Sequence, residues 1–464
     1  MLILAIPLVV SPYLTRTLQE TALGTYTYVN SIAYYFVVLA NLGISVHGRR
    51  IISVASDDKL ALRKKFWSLF FVHILISLVS IFLYVLFLVF FVKEDSLIYW
   101  IQVIYVISAM FDVTWFFYGM ENFSSVVKRN TLVKILECFL IFSFVRNSND
   151  IYVYTFICST SLFLGQIVMI PRIIRIVKPI SFTLNDISEH LKPLLVFSVS
   201  LIATTLYTVF DKTLLGILDT KESVAFFEYS NKIIHIPLAF TGIVGTVMLP
   251  RVCKLVASGS LLEQKRYLDY SFMMIAFIGL GSFFGLYAIS EKFIILYYGE
   301  SFAECGRITV WLAPLIFIIG AGSVFRTQCM IPNHMDKAFN MCIVFNAFVN
   351  LALSVLLIPI YGVYGAVFGT VGAELFGLLV QSYLCNKFYK FKELIKDIIP
   401  FFINGLIMFC FLKYNLPYME NLSKLMLGVL AALAIYITLT LIYLYIAKND
   451  IYINIIYSLK RGKF

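Results

Sequence analysis

The chain has 464 residues, of which 61% are hydrophobic and only 14% are charged, and its formal net charge is +11. Soluble proteins average about 45–50% apolar and about 25% charged residues, so this composition excludes a soluble protein. In a membrane protein an excess of Lys and Arg usually faces anionic lipid from the loops, and it does not indicate a nucleic acid partner.

Apolar runs follow one another along almost the whole chain. Because a spanning helix needs about 20 apolar residues, we predict an all-α polytopic membrane protein with about 14 transmembrane helices. The expected spans in the first half are at about 2–14, 24–45, 66–92, 97–119, 131–145 and 151–170. Those in the second half are at about 194–218, 224–249, 271–290, 308–331, 340–358, 364–384, 399–412 and 425–446.

The first run is short for a span, and neither a positive segment before it nor an A-x-A site after it indicates a signal peptide. We therefore expect the natural chain to begin about ten residues earlier, or the start codon to be misassigned.

Basic segments follow every second span, as in HGRRIISVASDDKLALRKK, which we predict to be a loop. The loops after even-numbered spans and the tail SLKRGKF hold roughly 25 Lys and Arg, against about seven after odd-numbered spans. Cytoplasmic loops carry the positive excess, so we expect both termini to be cytoplasmic.

The spacing of basic loops is similar in the two halves. It predicts an N-terminal lobe of six helices (1–185), a C-terminal lobe of six helices (186–390), and two further helices with the basic tail (391–464). Parallel repeats of this kind favour a binding cavity between the lobes. The basic stretch NKFYKFKELIKD is expected to lie on the membrane surface.

Asp112 is the most informative residue, because a carboxylate in an apolar helix costs roughly 3 kcal/mol or more on insertion scales. We place it in the fourth span, where Trp115, Phe116 and Gly119 share its helix face. This face is either an aromatic wall beside the acid or ordinary packing. A polar loop with Lys128 and Arg129 is expected to follow, and Asp112 either pairs with a cation such as Arg129 or Lys134 or titrates.

Other charges also lie within apolar spans, and each has an ordinary structural alternative. Lys134 and Glu137 are spaced to pair, but Lys134 can instead extend to the interface. Glu228 and Lys232 have the spacing of a structural ion pair. Arg16, Asp211 and Lys212 are either boundary charges or part of a site. Arg326 is either a site residue or one that extends part of the way to the basic-side loop, and Glu374 follows a Gly-rich run.

No enzyme motif is present: there is no Walker A motif, no HExxH, no GxSxG and no metal-spaced His/Cys cluster. The eight Cys are scattered within apolar runs, which is typical of small buried residues. We therefore expect no enzymatic activity, no cofactor and no metal, and we expect transport to be driven by an ion gradient, the membrane potential or the substrate gradient.

Several stretches resemble the bacterial polysaccharide flippases of the multidrug/oligosaccharidyl-lipid/polysaccharide exporter superfamily, the O-antigen transporter type. In the first half they are PYLTRTL, GTYTYVNSIAYYF, NLGISVHGRR, FDVTWFFYGMENF and VKRNTLVK. In the second half they are DKTLLGIL, EYSNKIIHIPLAF, MLPRV and GVYGAVFGTVGAELF. The resemblance covers about residues 7–384, and its most specific part is the D-x-x-W-F-F-x-G-x-E block.

The resemblance implies a flippase that moves undecaprenyl-diphosphate-linked oligosaccharide repeat units across the bacterial inner membrane by alternating access. A polysaccharide polymerase and chain-length proteins would be further partners. On this hypothesis the substrate-binding cations are Arg16, Lys212, Lys232 and Arg326. The residues for H⁺ or Na⁺ coupling or for gating are Asp112, Lys134, Glu137, Asp211, Glu228 and Glu374. The alternatives are an ion-coupled drug or metabolite exporter of the same superfamily and a scaffold of a polysaccharide assembly complex that does not transport.

Overall fold

The computed structural model describes residues 2–93 and 95–446, and this part of the chain consists of helices and short connections, with no strand. The basic tail lies outside the described residues. The first helices are α1 (Leu2–Asn41), α2 (Ile44–Ala55), α3 (Lys59–Phe91), α4 (Ser96–Met110), α5 (Thr114–Gly119), α6 (Phe123–Phe144), α7 (Ile151–Ile167), α8 (Ile170–Ile176) and α9 (Leu184–Leu218). The remaining helices are α10 (Lys221–Ala257), α11 (Leu261–Tyr298), α12 (Glu304–Leu312), α13 (Pro314–Val324), α14 (Asp336–Tyr361), α15 (Val363–Leu384), α16 (Phe391–Asn415) and α17 (Leu422–Ile446). The predicted all-α fold class is confirmed.

Eleven segments of the described chain are long and apolar enough to cross a membrane, so the protein is a multi-pass membrane protein. The predicted count of about 14 is not confirmed. The first two expected spans fall in one segment, Ile6–Ala55. The expected spans 131–145 and 194–218 lie in α6 and α9, which are not among the eleven.

The basic segments between spans are largely helical, where the sequence predicts loops. The segment around Arg49 and Arg50 forms α2, and α3 already begins at Lys59. In the same way α6 begins at Phe123, so Lys128 and Arg129 lie in a helix and not in the predicted polar loop. Hydropathy locates the apolar part of a helix but misses these polar ends, because charged residues are also good helix formers.

The described part of the chain divides into two compact units, with the boundary between Ala225 and Phe226. The boundary lies within α10, later than the lobe boundary at 185/186 that the sequence predicts. In the second unit α17 packs against α11, where the Tyr436 hydroxyl donates to the Phe277 carbonyl at 3.0 Å and the two rings stack. The two C-terminal helices therefore belong to the same compact unit as α11. The three-part division by repeats stays a prediction.

The start of α9 is fixed by a capping box. The Thr183 side chain accepts from the Asp186 amide, and the Asp186 carboxylate accepts from the Thr183 amide at 2.7 Å. Lys64 on α3 lies 2.9 Å from the same carboxylate. Two hydrogen bonds hold the pKa of Asp186 below its usual range: the one from the Thr183 backbone has the larger effect, and the one from Lys64 comes second. The polar beginning of α9 is thus anchored to α3.

Helices α14 and α15 pack through glycine and small polar side chains. Asn346 and Ser354 of α14 are buried, and they face Gly377 and Gly369 of α15. A Cβ at Gly377 would lie 2.1 Å from Asn346 Oδ1, and one at Gly369 would lie 2.6 Å from Ser354 Oγ. Small residues let membrane helices approach closely, so this glycine-rich stretch holds α15, and with it Glu374, against α14.

Candidate functional site: charged residues within the helices

Arg16 lies beside a break in the first helix. At 1.5 Å per residue the 40 residues of α1 would extend about 60 Å, twice the hydrocarbon thickness of a bilayer. The backbone breaks at Gln19, whose φ of 64° and ψ of 178° fall in a region that is nearly restricted to glycine. Arg16 is exposed one turn before the break. Glu20 follows it, and its Oε2 is buried without a hydrogen-bond partner in the described chain. The sequence alone does not single out Glu20, which lies outside the expected spans.

The sequence predicts that Asp112 lies inside a continuous helix, and this is wrong. Asp112 lies in the break between α4 and α5. Its Oδ1 accepts hydrogen bonds from the Thr114 amide at 2.9 Å and from the Thr114 hydroxyl at 2.7 Å. The Trp115 indole donates to the Asp112 carbonyl at 3.0 Å. The acid thus satisfies polar groups at the start of α5, which lowers the cost of its position in the membrane.

The aromatic face next to Asp112 is packed into the protein. Trp115 and Phe116 are fully buried, and Trp115 stacks on Phe66 of α3 with ring centroids 5.4 Å apart. A Cβ at Gly48 would lie 2.6 Å from the Trp115 ring, so α2 approaches this face closely. Of the two interpretations left open by the sequence, the structure supports packing.

Lys134 and Glu137 form the ion pair that their spacing suggests. Lys134 Nζ lies 2.7 and 2.9 Å from the two carboxylate oxygens, and the Glu137 side chain is only 10% exposed. Arg129 instead donates to Gln166 at 2.8 Å. Among residues 2–93 and 95–446, Asp112 makes no ion pair, so the expected pairing with Arg129 or Lys134 is not formed.

Asp211 and Lys212 lie on α9 next to a hydroxyl cluster. Asp211 is buried and Lys212 is half-buried. The neighbouring Thr213 hydroxyl lies 3.1 Å from that of Ser31 and 2.9 Å from that of Tyr35, both on α1. Charges within apolar runs do not point to these hydroxyls. The four-residue spacing of Ser31 and Tyr35 within an apolar run was the available signal.

In the second unit Glu228 and Lys232 make a loose ion pair along α10. The nitrogen and oxygen are 3.9 Å apart, and both side chains remain partly exposed. Lys232 Nζ also lies 3.9 Å from the Tyr229 ring centroid. A cation over an aromatic ring is stabilised by the ring quadrupole, so Lys232 is held from two sides.

Arg326 lies in a π-helical turn, Phe325–Met330, that continues α13. Its guanidinium donates to Gln381 on α15 at 3.3 Å, and Gln381 is fully buried. No ion pair of Arg326 occurs in the described part of the chain. Glu374 is buried two helical turns before Gln381, on the same side of α15. Because π turns often occur at functional sites, Arg326 and the adjoining face of α15 are the most informative polar cluster of this unit.

A second polar contact supports the same turn. Gln328 is fully buried, its Oε1 accepts from the Ser271 hydroxyl of α11 at 2.8 Å, and its Nε2 is buried without a partner in the described chain. The sequence alone does not single out Gln328, since a lone Gln in an apolar run carries no charge.

Comparison with known proteins identifies the relatives of this chain. Residues 1–256 match the family described as "Polysaccharide biosynthesis protein". A "Putative O-antigen transporter" of Shigella dysenteriae is 26% identical over 372 residues, which cover 79% of this chain and 92% of the relative. A protein of the same description from Escherichia coli (strain K12) is 21% identical over 379 residues, covering 80% and 90%.

The solved structure of lipid II flippase MurJ, in an inward closed conformation, superposes with a TM-score of 0.78 at 17% identity. The match covers 96% of this chain and 98% of MurJ. The chain therefore belongs to the polysaccharide biosynthesis protein family and has a MurJ-like fold. These relatives are transporters and flippases, not enzymes.

Proposed function

We propose that this member of the family is a flippase for undecaprenyl-diphosphate-linked oligosaccharide repeat units of the O-antigen or capsule type. It moves them across the bacterial inner membrane by alternating access, with both of its termini in the cytoplasm. The curated relatives named as O-antigen transporters and the MurJ-like fold support this proposal. A polysaccharide polymerase and chain-length proteins are the proposed protein partners.

The single observation that carries the proposal is the position of Arg326. Its guanidinium contacts a neutral amide, Gln381, and has no carboxylate partner in the described chain. A cation placed within membrane helices is costly and usually marks a ligand or ion pathway. Guanidinium groups bind phosphate through paired hydrogen bonds, so a diphosphate-bearing lipid supplies the charge that the surrounding helices do not.

We extend this role to the other cations of the proposed binding set, Arg16, Lys212 and Lys232. Arg16 lies at the break in α1. Lys212 lies next to Thr213, whose hydroxyl belongs to the cluster described above, and Lys232 lies over the Tyr229 ring. Hydroxyl groups near a cation suit a sugar phosphate, because both kinds of group hydrogen-bond its oxygens. Each cation is expected to contribute to binding of the diphosphate or the first sugar.

The acids are proposed to couple or gate the cycle. Glu374 is buried on the same side of α15 as the amide that binds Arg326, about two helical turns away, which places an acid in the same polar cluster. We assign coupling to H⁺ or Na⁺ or gating also to Asp112, Asp211, Glu228 and the Lys134–Glu137 pair. Glu374→Gln is expected to remove the dependence of flipping on the coupling gradient in reconstituted vesicles. Unchanged gradient dependence would exclude Glu374 from coupling.

The test of function begins with deletion of the gene. A strain without the protein is expected to accumulate one lipid-linked repeat unit that stays accessible only from the cytoplasmic side. Complementation with Arg326→Ala is expected to reduce surface polysaccharide at least tenfold while the protein remains in the membrane, and Arg326→Lys should restore part of it.

Arg307→Gln is the matched control, because its side chain is 67% exposed and its partner is the nearby Glu304. This variant should support normal surface polysaccharide. Normal polysaccharide with Arg326→Ala would overturn the proposed role of the arginine. Flipping of a labelled lipid-linked sugar by the purified protein in vesicles distinguishes a transporter from a scaffold, and transport of soluble cations alone would favour a drug or metabolite exporter.

A further inference from the structure

A groove of about 760 Å³ lies between α6 and α7 in the N-terminal unit. Its walls are apolar over most of their length. Leu132, Leu136 and Leu140 follow one another at four-residue spacing on α6, and Val153 and Phe156 face them from α7. Four-residue spacing places side chains on one helix face, so the groove is a continuous apolar channel open along its side.

One end of this groove is strongly basic. Lys128, Arg129 and Arg172 line it there, and none of them forms an ion pair in the described part of the chain. Arg129 Nη1 donates to Gln166, but its Nε is buried without a hydrogen-bond partner. The groove therefore ends in three cationic groups that form no ion pair with a described carboxylate, and Asp112 acts on Arg129 only from beyond ion-pair distance.

The geometry explains how these cations come together. α6 and α7 are joined by a short connection and pack against each other, so the beginning of α6 lies beside the end of α7 and α8. Gly165 permits this approach: a Cβ there would lie 3.1 Å from Val133 and 3.6 Å from Arg129.

The length of the apolar part fits one leaflet. From Leu132 to Phe144 the helix rises about 18 Å at 1.5 Å per residue. Half of the hydrocarbon core of a bilayer is about 15 Å. A bilayer lipid that fills the groove would thus place its acyl chain along the leucines and its head group at the cations.

We propose that this groove binds an anionic phospholipid, with its phosphate held by Lys128, Arg129 and Arg172 and one acyl chain between α6 and α7. Arginine and lysine side chains are good phosphate partners, which favours an anionic over a zwitterionic lipid. The one-leaflet length favours an ordinary bilayer lipid over the much longer polyprenyl chain of the proposed substrate. None of the lining residues is among those assigned to transport.

The test uses the full chain, delipidated in detergent and offered phosphatidylglycerol or phosphatidylcholine, with bound lipid counted by native mass spectrometry. The protein is expected to retain phosphatidylglycerol at least tenfold more strongly. Arg129→Gln with Arg172→Gln should remove this preference. The matched control is Arg175→Gln with Lys178→Gln, which removes two exposed cations of the same basic segment outside the groove, and it should leave the preference intact.

A second pair of variants tests the acyl chain without changing charge. Leu136→Trp fills the groove and should weaken binding at least fivefold, whereas Phe139→Trp, at an exposed position on α6 outside the groove, should not. Equal retention of phosphatidylglycerol and phosphatidylcholine by the unmutated protein would overturn the proposal. It would also be overturned if Leu136→Trp and Phe139→Trp weakened lipid binding equally, or if the double Arg variant and its control lost the lipid preference equally. Displacement by undecaprenyl diphosphate at equal concentration would assign the groove to the substrate, and displacement by inorganic phosphate alone would show that no acyl chain is bound. None of these readouts depends on flipping, so failure here leaves the proposed function untouched.

Discussion

Acidification is expected to weaken the attachment of α9 to α2 and α3, through the buried residue His190. His190 precedes the expected seventh span at 194–218. Its Nδ1 lies 3.0 Å from Nε2 of His47, and its Nε2 lies 2.9 Å from the Ser68 hydroxyl. All three side chains are buried. The charged groups Lys65, Glu189 and Asp186 lie around them.

Burial, and then the nearby His47, lower the pKa of His190 from its ordinary value to about 4. Between pH 6.5 and 4 the folded protein therefore binds fewer protons at this site than the unfolded chain does. The contribution of His190 to the free energy of unfolding is fully present above pH 6.5, and it is lost as the pH falls from 6.5 to 4. With an ordinary pKa of about 6.5, the loss between pH 7 and pH 5 is about 2 kcal/mol, as an order of magnitude.

The assay is thermal unfolding in detergent at pH 7, 6 and 5, compared between the natural protein and His190→Gln. The variant keeps a hydrogen-bonding side chain but has no imidazole, so its melting temperature should fall less on acidification. His334→Asn is the control, because His334 is exposed and its positive φ of 54° is one that Asn tolerates. If the natural protein and His190→Gln lose the same stability between pH 7 and pH 5, the reasoning is refuted.

Three further substitutions test packing and backbone geometry by melting temperature and recovery of monodisperse protein. Gln19→Gly should relieve about 1–3 kcal/mol of backbone strain and raise the melting temperature; a lower value would mean that the break in α1 is not strained. Gly365→Ala should lower the melting temperature strongly, because its Cβ would lie 2.3 Å from a backbone carbonyl oxygen of α14. Gly242→Ala is the control and should not lower it, because the space around Gly242 is open. Equal melting temperatures of the two variants would contradict the close approach of α14 and α15. Trp115→Ala should cost about 3–5 kcal/mol, the usual range for a buried aromatic residue, and the exposed Trp100→Ala should cost far less.

The sequence was sufficient for the fold class and the family. Apolar runs of membrane length are a local property, so hydropathy alone predicts a polytopic helical protein. The D-x-x-W-F-F-x-G-x-E block and its companion stretches identify the family, which the match over residues 1–256 confirms. The spacing of Lys134 and Glu137 also predicts a contact that the structure contains, because three residues along a helix bring two side chains to one face.

Local sequence patterns predicted the positions of helix ends and breaks less well. Asp112 lies in an apolar run, yet it occupies the break before α5, where its carboxylate accepts hydrogen bonds from the Thr114 amide and hydroxyl. The break at Gln19 has no Gly or Pro to indicate it. At Gln19 the surrounding tertiary structure imposes a backbone conformation that the local sequence does not favour.

Only the tertiary structure decided which distant residues meet. Arg326 contacts Gln381, His47 contacts His190, and the basic end of the groove joins Arg129 to Arg172. Composition and periodicity describe neighbours along one helix, whereas these contacts depend on which helix faces pack together. That choice follows from the fit of glycines, aromatic rings and buried polar groups across helices, which no single segment contains.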